Sequence, residues 1–170
     1  MKPMPPALRK LMLAVHLIVS LGWIGAATAY VAVAVAASAG DTETVRASWA
    51  AMNLIGWWVL VPLALASVIT GLIMGAGTHW GLVRHYWVTI SLVVTVFAAA
   101  VLLLHMPDVS AKAERAEEGD SAELAVLGSD LFHSVTGLAL LLGVAVLNVY
   151  KPRGLTRRGW RAQVEERRRF

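Results

Sequence analysis

Residues 86–106 read YWVTISLVVTVFAAAVLLLHM, a run of 21 residues without one charged side chain. A helix needs about 20 apolar residues to cross the hydrocarbon core of a bilayer. Because backbone amides in lipid must pair within their own segment, such a run is expected to be helical. The stretch therefore predicts a membrane-spanning helix, and that helix ends on His105 and Met106.

Three further runs of the chain have the same apolar character. The 170 residues are 58% hydrophobic and 15% charged, with a mean hydropathy of +0.65. A soluble domain carries about a quarter charged residues. The composition therefore predicts an all-α fold, a bundle of four transmembrane helices over residues 1–150 with a basic tail over residues 151–170. The predicted spans cover about residues 11–37, 49–75, 86–106 and 130–150.

The basic residues are distributed unevenly between these spans. Of fifteen lysines and arginines, only Arg46, Lys112 and Arg115 lie on the side opposite the two termini, and the other twelve lie on the side of the termini. Since basic residues are retained in the cytoplasm, the distribution predicts a multi-pass protein of the cell membrane with both termini cytoplasmic. We call this predicted cytoplasmic side the inner side and the opposite side the outer side.

The tail over residues 151–170 is basic and carries Trp160 among its arginines. It is predicted to lie on the bilayer, where each basic residue adds about 1 kcal/mol of attraction to anionic lipid. Docking on a protein partner is the alternative. The sequence pI of about 9.9 does not indicate nucleic-acid binding, because the basic residues flank apolar runs.

Several kinds of chemistry are excluded or disfavoured by the residue content. The absence of cysteine excludes disulfides, thiolate metal sites and cysteine-linked haem. No nucleophile, base and orienting acid share one depth at a recognisable spacing, which argues against a hydrolase or a transferase. Electron transfer stays open as an activity.

Four of the five histidines fall at two depths of the predicted bundle. His16 lies about 9 Å inside the inner surface, and His85 opens the third span on the same side. His105 follows His85 by twenty residues, hence about 30 Å away across the bilayer. His133 lies at the start of the fourth span, also on the outer side. The placement predicts one inner and one outer cluster.

The inner cluster is predicted to bind haem b. Two imidazoles from different helices can supply the axial ligands of such a haem, and His16 and His85 are the candidates. His79 of the inner loop is a further member in this interpretation. Ser20 and Trp23 are predicted to line the macrocycle, since steps of three and four residues place them on the face of His16. That face comprises His16, Ser20, Trp23, Ala27 and Tyr30.

The outer cluster is predicted to bind a metal ion through His105, His133, Asp130 and Met106. Imidazole with carboxylate suits zinc or copper(II), and imidazole with thioether suits copper(I). The alternative for both clusters is that these histidines are polar tips in the headgroup layer.

Small residues recur at four-residue spacing on two of the predicted helices. Ser67, Gly71 and Gly75 lie on the second span, and Gly22 and Ala26 on the first. Such stripes let helix backbones approach closely. They predict tight packing within the bundle, with self-association or space for a flat cofactor as alternatives.

Four stretches of the chain are similar to known sequences: HLIVSLGWIGA (16–26), GLVRHYWV (81–88), LLLHMP (102–107) and VYKPRGLTRRGW (149–160). They resemble a family of small four-helix integral membrane proteins that is common in actinobacteria. The resemblance implies a four-helix membrane protein and assigns no activity. His16 followed by Gly22-Trp23 is also similar to the copper-resistance D type of membrane protein, over a short stretch.

Three functions are consistent with these observations. The working hypothesis is a small b-type cytochrome that passes electrons to a redox partner in the membrane. The first alternative is a protein that handles copper or another metal, and the second is a scaffold or accessory subunit without a cofactor. A homo-oligomer is compatible with each of them.

Overall fold

The structure, a computed structural model, describes residues 4–78, 81–127, 129–152 and 154–168. Regular structure in these residues is helical, with one isolated β-bridge and no strand. The elements are α1 (Pro6–Ala39), α2 (Thr42–Ile55), a π-helical turn (Gly56–Leu60), α3 (Val61–Gly77), α4 (Tyr86–Glu118), α5 (Ser121–Val126), α6 (Leu131–Tyr150) and α7 (Arg157–Arg168).

Four of these helical rods are long and apolar enough to cross a membrane. They are α1, the continuous rod Thr42–Gly77 formed by α2, the π turn and α3, then α4 and α6. Helices α1 and α4 each pack against both the Thr42–Gly77 rod and α6, so the rods form a four-membered bundle. This confirms the prediction of an all-α bundle with four candidate spans. We use outer end for the end of the bundle with His105 and inner end for the end with His85.

Helix α4 continues twelve residues beyond the predicted end of the third span and stops at Glu118. Pro107 does not end it, because a proline removes only one hydrogen bond of the ladder and this ring lies exposed on the helix surface. The residues that follow bury small apolar side chains, Val109, Ala113 and Ala116, and α4 packs against α2. The outer connection is therefore a helical extension of the bundle, followed by the short α5.

Helix α2 likewise starts outside the predicted span, at an N-cap. The carboxylate of Asp41 accepts a hydrogen bond from the amide of Thr44 at 2.9 Å, which stabilises the first turn. The hydrogen bonds from Thr44 hold the pKa of this exposed carboxyl below its usual range.

A π-helical turn interrupts the second span directly before Pro62. The amide of Val61 bonds to the carbonyl of Gly56, five residues earlier. Pro62 has no amide to donate, and its ring would meet the carbonyl four residues before it in a regular helix, so the wider turn relieves the clash. Gly56 in this turn is in contact with the fully buried thioether of Met106.

The small residues of the first two spans bring α1 and α3 together within one chain. The hydroxyls of Ser20 and Ser67 are 2.9 Å apart. The ring of His16 lies against Gly71, where an added Cβ would be 3.4 Å from the ring carbon Cε1. Gly22 in turn faces Leu63 of the second span. The stripes are used for close packing inside the bundle.

The basic tail folds back onto the inner end of the bundle. Lys151 adopts a left-handed conformation with φ 44° and reverses the chain after α6. Leu155 then forms an antiparallel bridge with His85, with hydrogen bonds from the Tyr86 amide to the Gly154 carbonyl at 3.3 Å and from the Thr156 amide to the Arg84 carbonyl at 3.0 Å. The tail is thus attached to the protein itself.

Candidate metal centre

Asp130 occupies the N-cap position of α6, but its carboxylate does not cap that helix. An aspartate in this position ordinarily accepts from the amides of its own first turn. Here the carboxylate is 3% exposed and faces two neighbouring helices. One oxygen, Oδ1, lies 2.7 Å from Nε2 of His105 on α4, and the other, Oδ2, accepts a 2.8 Å hydrogen bond from the Tyr30 hydroxyl on α1.

His133 brings a second imidazole to the same carboxylate oxygen. Its Nδ1 lies 3.5 Å from Oδ1 of Asp130, one turn earlier on the chain. The rings of His105 and His133 are stacked, with centroids 4.2 Å apart and planes 21° apart. Two ring nitrogens from different helices therefore point toward one oxygen atom.

The ligand atoms of His105, Asp130 and His133 all lie within 4.8 Å of one another. Two atoms that bind one tetrahedral ion at about 2.0–2.1 Å are roughly 3.4 Å apart, so small side-chain rotations would suffice to admit an ion. Among the residues that the structure describes, this is the group of histidine and acidic side chains with such a geometry. The chemistry of the set, two imidazoles and one carboxylate, fits zinc or copper(II).

The protein covers the centre at His105 and leaves it exposed at His133. The side chain of His105 is 15% exposed, whereas that of His133 is 54% exposed. Three protein ligands on a tetrahedral ion would leave a fourth position for water or another molecule. The exposed edge at His133 is where that position could be reached.

Tyr30 also belongs to the outer cluster, although the sequence pattern predicts it at a different site. It was placed on the face of His16 that was predicted to line a haem, but its hydroxyl reaches the outer cluster and its side chain is buried. The signal that could have located it is depth, because Tyr30 lies near the outer end of α1 and a buried phenol requires a polar partner.

Met106 follows His105 in the chain, and its side chain packs against the second span. Its thioether is fully buried against Gly56 of the π turn. Successive residues of a helix point about 100° apart, so neighbours on α4 serve different interfaces. As a ligand of this centre, Met106 stays a prediction.

The two predicted haem ligands lie in different surroundings at the inner half of the bundle. Nδ1 of His16 is 2.8 Å from the hydroxyl of Thr70 on α3. Since that hydroxyl donates to the carbonyl of Ala66 at 2.7 Å, its oxygen is left to accept from Nδ1–H, which leaves Nε2 of His16 as an acceptor. His85 lies at the start of α4, beside Trp87 and paired through its backbone with Leu155.

The two predicted macrocycle contacts are part of the helix packing. Ser20 bonds to Ser67 across the α1–α3 interface, and Trp23 is buried in the core of the bundle. His79, which was grouped with the inner cluster, lies outside the described residues.

The chain matches no protein-family model, no curated protein and no solved structure.

Proposed function

We propose that this is a multi-pass membrane protein that binds a divalent transition-metal ion, zinc or copper(II), at the outer end of its bundle. The observation that carries the proposal is that ring nitrogens of His105 and His133, from two helices, lie 2.7 Å and 3.5 Å from the same carboxylate oxygen of Asp130. A neutral imidazole offers a lone pair and a carboxylate offers charge, and both are ligands that these ions accept.

Tyr30 supports the proposal by occupying the second oxygen of Asp130. A hydrogen bond to the oxygen that faces away from the metal orients a carboxylate ligand and keeps it monodentate. A carboxylate that is only 3% exposed would be costly if it were isolated, and the two imidazoles and the phenol are the groups that stabilise it. A bound cation would compensate the same charge more completely.

The orientation in the membrane follows from the basic residues and forms part of the proposal. Twelve of the fifteen lysines and arginines lie in the segments of the sequence on the side of the two termini, so we infer that this side is cytoplasmic and that the metal centre faces the opposite side of the cell membrane. The ion would then be taken from, or released to, the non-cytoplasmic side.

The test is a metal titration of the protein purified in detergent after treatment with a chelator. We expect one zinc or copper(II) ion per chain, with affinity strongly reduced in His105→Ala and in Asp130→Asn. His85→Ala is the matched control, because it removes a histidine from the opposite end of the bundle. Binding that is unchanged in His105→Ala, or lost equally in His85→Ala, would contradict the proposal.

The cytochrome hypothesis is retained as a second candidate because of one feature of His16. Thr70 orients its imidazole and leaves Nε2 with a lone pair, as an axial haem ligand requires. A haem on this face would have to replace the direct contact between Ser20 and Ser67. An absorbance spectrum of protein from haem-replete cells tests it, since bound haem gives a Soret band that shifts on reduction and is lost in His16→Ala.

Without any metal, the outer cluster would act as a polar connection between helices. Tyr30 on α1, His105 on α4 and Asp130 on α6 form a chain of hydrogen bonds across three of the spans. This is the form that the scaffold hypothesis takes. It predicts the outcome opposite to that of the metal proposal: no binding of zinc or copper(II), and loss of stability alone in His105→Ala.

A further inference from the structure

An open polar cavity lies at the inner end of the bundle, between the start of α4 and the tail. Its volume is about 450 Å³. It is independent of the metal centre, which lies at the opposite end of α4. The cavity is lined by Tyr86, Leu155, Thr156, Arg157, Trp160 and Arg161.

The wall formed by the tail is held in place by backbone contacts. The bridge between His85 and Leu155 and the hydrogen bond from the Thr156 amide to the Arg84 carbonyl attach the tail to the residues that precede α4. The Thr156 hydroxyl also donates to the carbonyl of Val83 and accepts from the amide of Gly159, which caps α7. The position of the first turn of α7 is thereby determined by the bundle.

The charge of the cavity favours an anion. Arg157 and Arg161 are one helical turn apart, so both guanidinium groups lie on the same face of α7. Guanidinium groups bind phosphate oxygens with paired hydrogen bonds. The cavity lies at the N-terminal end of α7, where the helix dipole is also positive. Among the side chains that the structure describes, none of those lining the cavity is a carboxylate.

The depth of the cavity points to a lipid as the source of that anion. Tyr86 is the first residue of α4, where the apolar run of the third span begins. Tyr86 and Trp160 are 52% and 62% exposed, and aromatic side chains with such exposure are typical of the layer of lipid head groups. A lipid phosphate would lie at this level of the bilayer.

We propose that Arg157 and Arg161 bind the phosphate of an anionic membrane lipid, with its acyl chains along the apolar surface of α4 and its head group between Tyr86 and Trp160. Free inorganic phosphate has the same chemistry and is the other source of the anion. The tail would then act as a specific head-group site in addition to a region of general positive charge.

The experiment compares nanodiscs of phosphatidylcholine with nanodiscs that also contain phosphatidylglycerol, with the bound lipid of the extracted protein counted by native mass spectrometry. We expect retention of phosphatidylglycerol over phosphatidylcholine in the wild type. In Arg161→Gln the apparent affinity for phosphatidylglycerol should fall about tenfold, as for the loss of one charge-assisted hydrogen bond. The affinity of Arg161→Lys for phosphatidylglycerol should lie between those of the wild type and Arg161→Gln, because lysine keeps the charge and lacks the planar guanidinium group.

Arg158→Gln is the matched control. It removes the same charge from the neighbouring position, and Arg158 does not line the cavity. If the affinity for phosphatidylglycerol fell as far in Arg158→Gln as in Arg161→Gln, the proposal of a specific site would be overturned, because diffuse attraction to positive charge would explain both. A wild type that does not prefer phosphatidylglycerol would overturn it as well.

The remaining arm adds inorganic phosphate to protein in nanodiscs that contain phosphatidylglycerol, and in parallel to protein in phosphatidylcholine alone. If millimolar phosphate displaces phosphatidylglycerol only weakly, the lipid is the ligand. If phosphate binds as tightly in the wild type as phosphatidylglycerol does, and is lost in Arg161→Gln, the anion is a free phosphate and the lipid proposal fails.

Discussion

At the scale of single residues, the outer cluster depends on which way one carboxylate points. Asp130 has the chain position of a helix cap, and an aspartate that capped α6 would face its own backbone amides. Its side chain instead satisfies His105 and Tyr30, and the first turn of α6 is left without a side-chain cap. The arrangement gives up a local hydrogen bond for two partners, His105 and Tyr30, that come from far along the chain.

Tyr30→Phe tests the role of the phenol. The substitution keeps the ring and removes the hydroxyl that bonds to Asp130. We expect a loss of about 1–3 kcal/mol in the free energy of unfolding, since the removed partner leaves a buried charged group less satisfied. Zinc affinity should fall by about 10–100-fold, as for partners that orient a metal ligand.

The measurements are a thermal unfolding scan and a zinc titration in detergent. Tyr150→Phe is the control, because Tyr150 is 80% exposed at the other end of α6. If Tyr30→Phe behaved like Tyr150→Phe in both assays, the phenol would have no part in orienting Asp130.

At the scale of elements, the tail shows how a basic segment can be ordered by its own protein. Its residues are those of a solvated membrane-proximal segment, yet the bridge at Leu155 and the cap at Thr156 position α7. Gly159 is required by this docking. A Cβ at that position would overlap the carbonyl oxygen of Arg84, which belongs to the backbone and cannot turn aside.

Gly159→Ala is therefore expected to detach α7 from the inner end. Although alanine is a better helix former than glycine by about 1 kcal/mol, the overlap with backbone prevents the docked position. Amide hydrogen exchange and limited proteolysis of residues 154–168 should accelerate, while the four spans stay protected.

Gly143→Ala on α6 is the control, because an added Cβ there meets nothing within 4 Å. Unchanged exchange in Gly159→Ala would show that α7 does not need this contact.

At the scale of the whole molecule, the cluster of Tyr30, His105 and Asp130 adds a polar connection between rods that also meet through small residues, apolar contacts and hydrogen bonds such as that of Ser20 with Ser67. Its hydrogen bonds link α1, α4 and α6, and the window of α6 that would span the membrane is only 6% buried in the chain. An ion that binds the folded chain and not the unfolded one would stabilise the bundle by mass action.

Zinc at a hundred times its dissociation constant is expected to add about 2.7 kcal/mol to the free energy of unfolding. The thermal unfolding midpoint of the chelator-treated protein should rise with zinc concentration. The rise should be absent in His105→Ala and present in His85→Ala. A rise that persists in His105→Ala would place the ion elsewhere.

The orientation can be tested on the intact cell, because the chain contains no cysteine. Glu118→Cys and Arg158→Cys introduce single thiols at exposed positions of the outer and inner ends. A membrane-impermeant maleimide should label Glu118→Cys in intact cells and Arg158→Cys only after permeabilisation, since basic residues are retained in the cytoplasm. The reverse pattern would contradict the orientation proposed above.

The number and type of the main elements could be read from the chain, because membrane spans depend on local composition. An uncharged run such as residues 86–106 must be helical in lipid wherever its neighbours lie. The end of this helix could not be predicted from the uncharged run alone. Helix α4 continues through Pro107 because the small side chains beyond that proline pack against α2. The depths of His105, His133 and Asp130 also predicted that these three residues lie close together, because the rise per residue of a helix is a local property.

What depth could not supply is the rotation of each helix about its axis, and only the tertiary structure decided it. Rotation is set by packing between rods, through contacts such as Ser20 with Ser67 and Met106 with Gly56. It brought the hydroxyl of Tyr30 to Asp130 and the thioether of Met106 to Gly56. The sequence by itself determined which side chains share a level of the bundle, and the packing of the helices determined which of them meet.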